Sequence, residues 1–183
     1  MTDEQILLLL KEDSGKDKGF RMLMTNYQDM LYRHIRSILK NHEDSNDVLQ
    51  NTFIKVYRNI GKFEARSSLY TWIYRIATNE ALTHVSKNKK MKLFFNKEDD
   101  YNGLENTLIA KESPDAYKVR ELLQQAIAIL PEKQRSVFSL RYFEEMSYRQ
   151  MSEVMDTSEG ALKASFHHAV KKIEHYFKNV NIY

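Results

Sequence analysis

Near the C-terminus, Lys163, His167, His168 and Lys171 follow Ser158, Glu159, Gly160 and Ala164 along one helical stretch. Lysine meets phosphate as a point charge, and the N-terminus of a helix is itself an anion site. Small residues let such a helix approach a partner closely. Glu159 either accepts from a cytosine amino group or complements the helix dipole. The adjacent histidines raise the question of a metal, yet the chain has no cysteine and no carboxylate stands at ligand spacing. Surface or phosphate-contacting imidazoles are expected instead. Glu43, Asp44 and Asp47 form a second polar group. They fall at a helix start, where acids favour the dipole, and no partnered base or nucleophile accompanies them. No catalytic residue, metal ion or cofactor is therefore expected.

The elements that position these residues follow from hydrophobic spacing. At 100° per residue, Leu162, Phe166, Ala169 and Ile173 share a narrow arc that must face a core, with the basic and small residues opposite. Ser147 and Gln150 have capping-box spacing, so a helix starts at Ser147 and buries Tyr148, Met151, Val154 and Met155. The stretch "DTS" turns the chain, and the last helix runs from about Glu159. Two short helices on a turn of this length form a helix-turn-helix, whose second helix enters the major groove in DNA-bound examples. An ordinary helical hairpin with a solvated face has the same pattern, and geometry alone leaves both open. Upstream, Val119, Leu122, Leu123, Ala126, Ile127 and Leu130 form a stripe, and Pro131 starts the next helix.

The N-terminal block also reads as helices. Phe20, Leu23, Tyr27, Leu31, Ile35 and Ile38 recur at three- and four-residue steps. "HEDSND" marks a break, after which Leu49, Phe53, Val56 and Ile60 line a second helix that Gly61 ends in a left-handed conformation. "KFEARSS" is a polar loop. A third helix carries Leu69, Ile73, Ala77 and Glu80 on one side, with Trp72 and Ile76 beside them, and exposes Thr71, Arg75, Thr78 and Asn79. Residues 88–115 lose periodicity and pass from the cluster Lys87, Lys89, Lys90 and Lys92 to an acidic run ending near Pro114. This stretch is expected to be a flexible linker.

Composition agrees with that outline. Of 183 residues, 42% are hydrophobic, enough for packed cores, and 5 glycines with 2 prolines leave little to break helices. The four-leucine run near the start has acidic flanks, unlike a signal peptide, and no stretch has the length of a membrane span. A cytoplasmic protein without membrane insertion is expected. The net charge of +3 permits nucleic-acid binding but argues little for it, so the placement of charge matters more.

Two long stretches carry a family resemblance. "HEDSNDVLQNTFIKVYRNIGKFEARSSLYTWIYRIATNEAL" resembles region 2 of the extracytoplasmic-function (ECF) sigma factors of bacterial RNA polymerase, in the sigma-70 family. "LPEKQRSVFSLRYFEEMSYRQMSEVMDTSEGALKASFHHAVKKIE" resembles their region 4. The order is the family's, the likeness spans nearly the whole chain, and the last helix is similar to members of the Bacteroidetes type. The resemblance implies an all-α fold of two small helical domains. Region 2 would occupy 1–87, the linker 88–115, and the region 4 helix-turn-helix 116–183.

It also implies roles. Asp47, Gln50, Asn51, Ile54 and Arg58, on the outer side of the "DVLQNTFIK" helix, would dock on the β′ clamp of core polymerase, with Ile54 as an apolar anchor. The "FEARSSLYTW" loop would hold a base flipped out of the −10 element. Arg66, Ser67 and Ser68 supply donors, Phe63, Tyr70 and Trp72 supply faces that serve either stacking or a core, and Arg75 and Asn79 would contact the separated strands. Ser158, Glu159, Gly160, Lys163, Ala164, His167 and Lys171 would read the −35 element. Ala161, Ser165 and His168 depart from the family wording "T-V-K-S-R-L-x-R-A" and remove positive charge from the DNA end, with the lysine cluster as a compensating backbone contact.

The function so implied is promoter selection and opening by a non-enzymatic subunit. Its partners would be the polymerase β′ and β subunits, promoter DNA and, in many members, an anti-sigma factor. The free protein would be a monomer. A stand-alone helix-turn-helix regulator leaves the first block unexplained. A protein-binding helical adaptor does not account for the Gly160, Ala164 and Lys171 face.

Overall fold

The computed structural model describes residues 2–12, 14–95 and 114–180, with side chains to residue 88 and from residue 117. Eight α-helices and one 3-10 turn, and no strand, occur among the described residues. They fall into two compact units, the first built on α1 to α4 and grouped with Glu153–Met155, the second on the rest of α5 to α8.

In the first unit, α1 (Asp3–Lys11) starts on a capping box between Thr2 and Gln5 and buries Ile6 and Leu10. Helix α2 (Lys16–Leu39) crosses α1 at Gly19, where an added Cβ would stand 3.0 Å from both the Leu9 and Leu10 side chains. The Tyr27 hydroxyl of α2 donates to the Asp3 carboxylate at 2.7 Å, which ties the two helices together. Burial, and then the Asp3 carboxylate, push the Tyr27 pKa up. Helix α3 (His42–Asn59) is capped by Asn41, which accepts from the Asp44 backbone at 2.9 Å. "HEDSND" is thus the first turns of α3, not a break. Its acids meet the positive end of the dipole, as expected. Lys40, in a left-handed conformation at φ 63°, makes the turn between α2 and α3. Helix α3 passes into a 3-10 turn (Ile60–Lys62), and no described glycine has a positive φ, so Gly61 does not act as a left-handed cap.

Helix α4 (Leu69–Phe95) packs on both α2 and α3, burying Leu69, Ile73, Tyr74, Ala77 and Ala81. Lys55 of α3 pairs with Glu80, and Asp44 stands 3.1 Å from His84. The helix continues beyond residue 87 to Phe95. Residues 96–113 of the expected linker, and the side chains of Lys89, Lys90 and Lys92, lie outside the described residues.

In the second unit, α5 (Pro114–Ala128), α6 (Glu132–Tyr142), α7 (Tyr148–Met155) and α8 (Glu159–Asn179) enclose a separate core. Ala126, Ile127, Leu130, Phe138, Ala169 and Ile173 form its centre, with Phe166 stacked on Phe138 at 5.8 Å between ring centroids. Val119 leaves the expected stripe, at 49% exposure. Pro131 is the residue before the first turn of α6, one position earlier than expected, and its lack of an N–H costs nothing there.

Candidate functional site

The helix-turn-helix is built by two caps. The Ser147 hydroxyl accepts from the Gln150 backbone at 3.3 Å, and the Gln150 side chain accepts from Ser147 N–H at 2.9 Å. Asp156, at φ 50°, ends α7, and Ser158 opens α8 by accepting from the Ala161 backbone at 3.3 Å. These are the start and turn read from the sequence. Leu162, Ala169 and Ile173 then point into the core, and Ser158, Glu159, Gly160, Lys163, Ala164, His167 and Lys171 are all exposed. An added Cβ at Gly160 meets nothing within 4 Å, so the core does not require that glycine. Lys163 and Arg141 lie 5.5 and 5.3 Å from the Tyr148 ring, which gathers positive charge where α7 meets α8. The fold thus presents a continuous small and basic surface at the N-terminal half of α8.

In the first unit, the loop from Phe63 to Ser68 holds Ala65 at φ 55°, a strained conformation for a side-chain-bearing residue. Arg66 is exposed and paired with Glu64 at 2.6 Å, an exchange that solvent makes cheap to break. Ser68 is committed to α4, accepting from the Thr71 backbone at 3.1 Å. Ser67 is half-buried. The aromatic residues are half-buried too. Phe63 packs on Trp72 at 5.3 Å, and Tyr70 on Tyr74 at 4.5 Å. Arg75 and Asn79 are exposed, as expected, whereas Thr71 and Thr78 are buried, at 2% and 0% exposure.

The reason is local hydrogen bonding. The Thr78 hydroxyl donates to the Tyr74 carbonyl at 2.8 Å and accepts from His34 Nε2, also at 2.8 Å. A threonine satisfied within its own helix can be buried at little cost. With Nε2 donating, His34 is neutral. Burial lowers its pKa from 6.5 to about 3.

On α3, Asp47, Gln50, Asn51, Ile54 and Arg58 are exposed together, Ile54 at 40%. Gln50, Ile54 and Arg58 also line a groove of about 640 Å³ whose other wall is α2, through Phe20, Met24 and Gln28. Sequence reasoning missed that wall. The i, i+4, i+8 spacing of Phe20, Met24 and Gln28 was its only signal, one shared with any core stripe. Among the described residues, no cluster of three metal-ligating side chains occurs, and no helix is long and apolar enough to cross a membrane.

Both units match family models. Residues 23–91 match Sigma-70 region 2, and residues 120–173 match Sigma-70, region 4. The chain belongs to the sigma-70 family. It is an ECF RNA polymerase sigma factor by its likeness to several such factors over most of its length. It is 31% identical to the RNA polymerase sigma-H factor of Pseudomonas aeruginosa, over 95% of this chain and 94% of that one. The ECF RNA polymerase sigma factor SigW of Bacillus subtilis is 27% identical over 84% of this chain and 86% of its own. The ECF RNA polymerase sigma-E factor of Escherichia coli is 28% identical over 95% and 93%. Among solved structures, the sigma factor RpoE in complex with the anti-sigma factor NepR, from Bartonella quintana, shares the fold. Its TM-score is 0.77 at 18% identity, covering 90% of this chain and 99% of that one. CnrH in complex with the cytosolic domain of CnrY has a TM-score of 0.67, also at 18% identity, covering 98% and 100%.

Proposed function

We propose that this sigma factor divides its work between the two units. The α2–α3 groove, with Ile54 at its rim and Asp47, Gln50, Asn51 and Arg58 on the same helix, docks on the β′ clamp of core polymerase. The loop carrying Arg66, Ser67 and Ser68, with Tyr70, Trp72, Arg75 and Asn79 of α4, engages the separated strand of the −10 element. The N-terminal half of α8 reads the −35 duplex. The observation that carries this reading is the joint exposure of the N-cap Ser158 and six α8 residues opposite a buried stripe. Their small and basic character suits close approach to a phosphate-lined groove. Opening follows from binding energy directed at an unstacked base. The protein contributes no covalent chemistry.

The division of the chain follows the same outline, 1–87 for region 2, 88–115 as linker and 116–183 for region 4. The protein works in the cytoplasm as a monomer when free. Two solved structures with this fold are described in complex with anti-sigma factors, which supports an anti-sigma partner here also. The test is transcription in vitro with sigma-free core polymerase on a genomic fragment library. Protein-dependent starts sharing two upstream elements at fixed spacing are expected. Arg66→Ala should lower opening at those starts and Lys171→Ala should alter the selection among them. Starts that neither change affects would refute the assignment of these faces.

A further inference from the structure

The loop that joins the 3-10 turn to α4 is held at both ends. Phe63 N–H donates to the Ile60 carbonyl at 3.1 Å, and the Phe63 ring packs on Trp72. At the other end, the Ser68 carbonyl accepts from Trp72 N–H and the Ser68 hydroxyl from Thr71 N–H, both at 3.1 Å. Between these anchors Ala65 takes φ 55°, which an L residue keeps only where its surroundings hold it there. The flanking side chains meet across that residue, with Arg66 Nε 2.6 Å from Glu64 Oε2. We propose that Glu64 sets the selectivity of this loop. It holds and neutralises the Arg66 guanidinium, so that Arg66 answers to the acceptors of an unstacked base and not to the phosphates of any strand. The inference rests on this loop being the one that meets the separated strand of the −10 element.

The geometry of the pair supports a positioning role. Glu64 takes the Nε edge of a planar fork that carries further N–H donors on its terminal nitrogens. The Arg66 side chain is 86% exposed, so those terminal donors are left for a ligand. Paired terminal donors match adjacent acceptors on one base edge, as arginine does with guanine. A carboxylate held on Nε fixes the direction in which that fork points.

The charge of the pair supports selectivity. A phosphate gains little from a cation whose carboxylate stays beside it, because repulsion by Glu64 offsets attraction by Arg66. Glu64 is the only acid in the loop sequence "KFEARSS". Arg75 supplies the contrast. It is exposed on the same proposed surface, and among the described residues it has no carboxylate partner. Arg75 is therefore suited to grip backbone and Arg66 to read bases. Phosphate contacts position a nucleic acid, whereas base contacts specify it. The competing reading is a solvated ion pair without influence on DNA, a frequent case at surfaces.

The test uses holoenzyme reconstituted with the full chain. The probes are fluorescent single strands based on a promoter found by transcript mapping. One carries the −10 element, and the other is a shuffled sequence of the same composition. Anisotropy over a salt series gives the affinity and the salt slope for each. Glu64→Gln frees Arg66 for phosphate. It should tighten binding of the shuffled strand by about fivefold, the upper end for an exposed ion pair. It should also steepen the salt slope of that strand by about 0.7, the value for one more phosphate contact on a single strand. The strand with the element should tighten less, so the ratio between the two falls. In an Arg66→Ala background, Glu64→Gln should no longer steepen the slope. Equal tightening of both strands would reduce Glu64 to simple charge repulsion and overturn the inference. A silent Glu64→Gln would overturn it too, in favour of the solvated pair. In either case the loop assignment stands if Arg66→Ala weakens binding of the strand with the element. Indifference of both strands to Arg66→Ala would overturn that assignment as well.

Discussion

His34 and Arg135 show how single buried groups set the response of each unit to its surroundings. His34 is fully buried and neutral, and its Nδ1 has no partner. Its folded pKa, about 3, lies below the ordinary 6.5. Between those values the unfolded chain binds the extra proton, so this contribution to stability is fully present above pH 6.5. It is lost as pH falls toward 3. Urea unfolding at pH 7.5 and pH 5 should therefore show the wild type losing about 2 kcal/mol more than His34→Gln across that interval. Equal losses would place the acid sensitivity elsewhere. Arg135 presents the opposite case, a buried base that keeps its charge. It is 5% exposed, its Nε and Nη1 have no hydrogen-bond partner among the described residues, and burial lowers its pKa to about 10, which still leaves it charged at neutral pH. A buried cation without a counter-charge costs more than a methionine of similar stem. Arg135→Met should melt at the same temperature or higher, by up to ~3 kcal/mol in stability. A clear drop would mean that the guanidinium holds an anion from solution.

At the scale of elements, α7 is short, and its start rests on reciprocal bonds between Ser147 and Gln150. Ser147→Ala removes one arm and frees the other. It should destabilise the second unit by about 1 kcal/mol, whereas Ser147→Asp should retain most of the cap. Chemical unfolding followed by a probe in that unit measures both. The starts of this helix and of α8 were legible in the sequence, because caps and a 3.6-residue period are local signals, but of the four residues expected to be buried on α7 only Met151 and Val154 are, with Tyr148 and Met155 half-buried. Other elements were legible only in part. The α2–α3 turn uses Lys40 in a left-handed conformation, where sequence reasoning looks for glycine, and Gly61 lies in a 3-10 turn that needs no positive φ. Thr71 and Thr78 looked exposed because a wheel projection assigns one buried side to each helix. Helix α4 packs against both α2 and α3, and its threonines satisfy their hydroxyls locally, so the buried arc is wide. The α2 wall of the groove was hidden for the same reason. Which two helices come together is a tertiary fact, and the spacing of Phe20, Met24 and Gln28 is identical for a core stripe and a groove wall.

At the scale of the whole molecule, two separate cores allow the proposed polymerase attachment and the proposed duplex reading to fail independently. Ile54 is 40% exposed at the rim of an apolar groove, so an acid there costs little folding energy but puts charge into any partner that fills the groove. Ile54→Asp should weaken association with core polymerase by about 100-fold, roughly 3 kcal/mol for losing a central interface anchor. Every protein-dependent start should then fall in proportion. Lys171→Ala acts on the other unit. It leaves the groove intact, so association with core should stay unchanged while affinity for the duplex falls and its salt slope drops by about one. The two residues share no partner, and the double variant should lose the sum of the single free-energy changes in promoter binding. Association with core, measured by fluorescence titration, and start-site usage, measured by transcript mapping, separate the two effects. A Lys171→Ala loss confined to core association, or an Ile54→Asp loss confined to particular promoters, would reverse the assignment of the units.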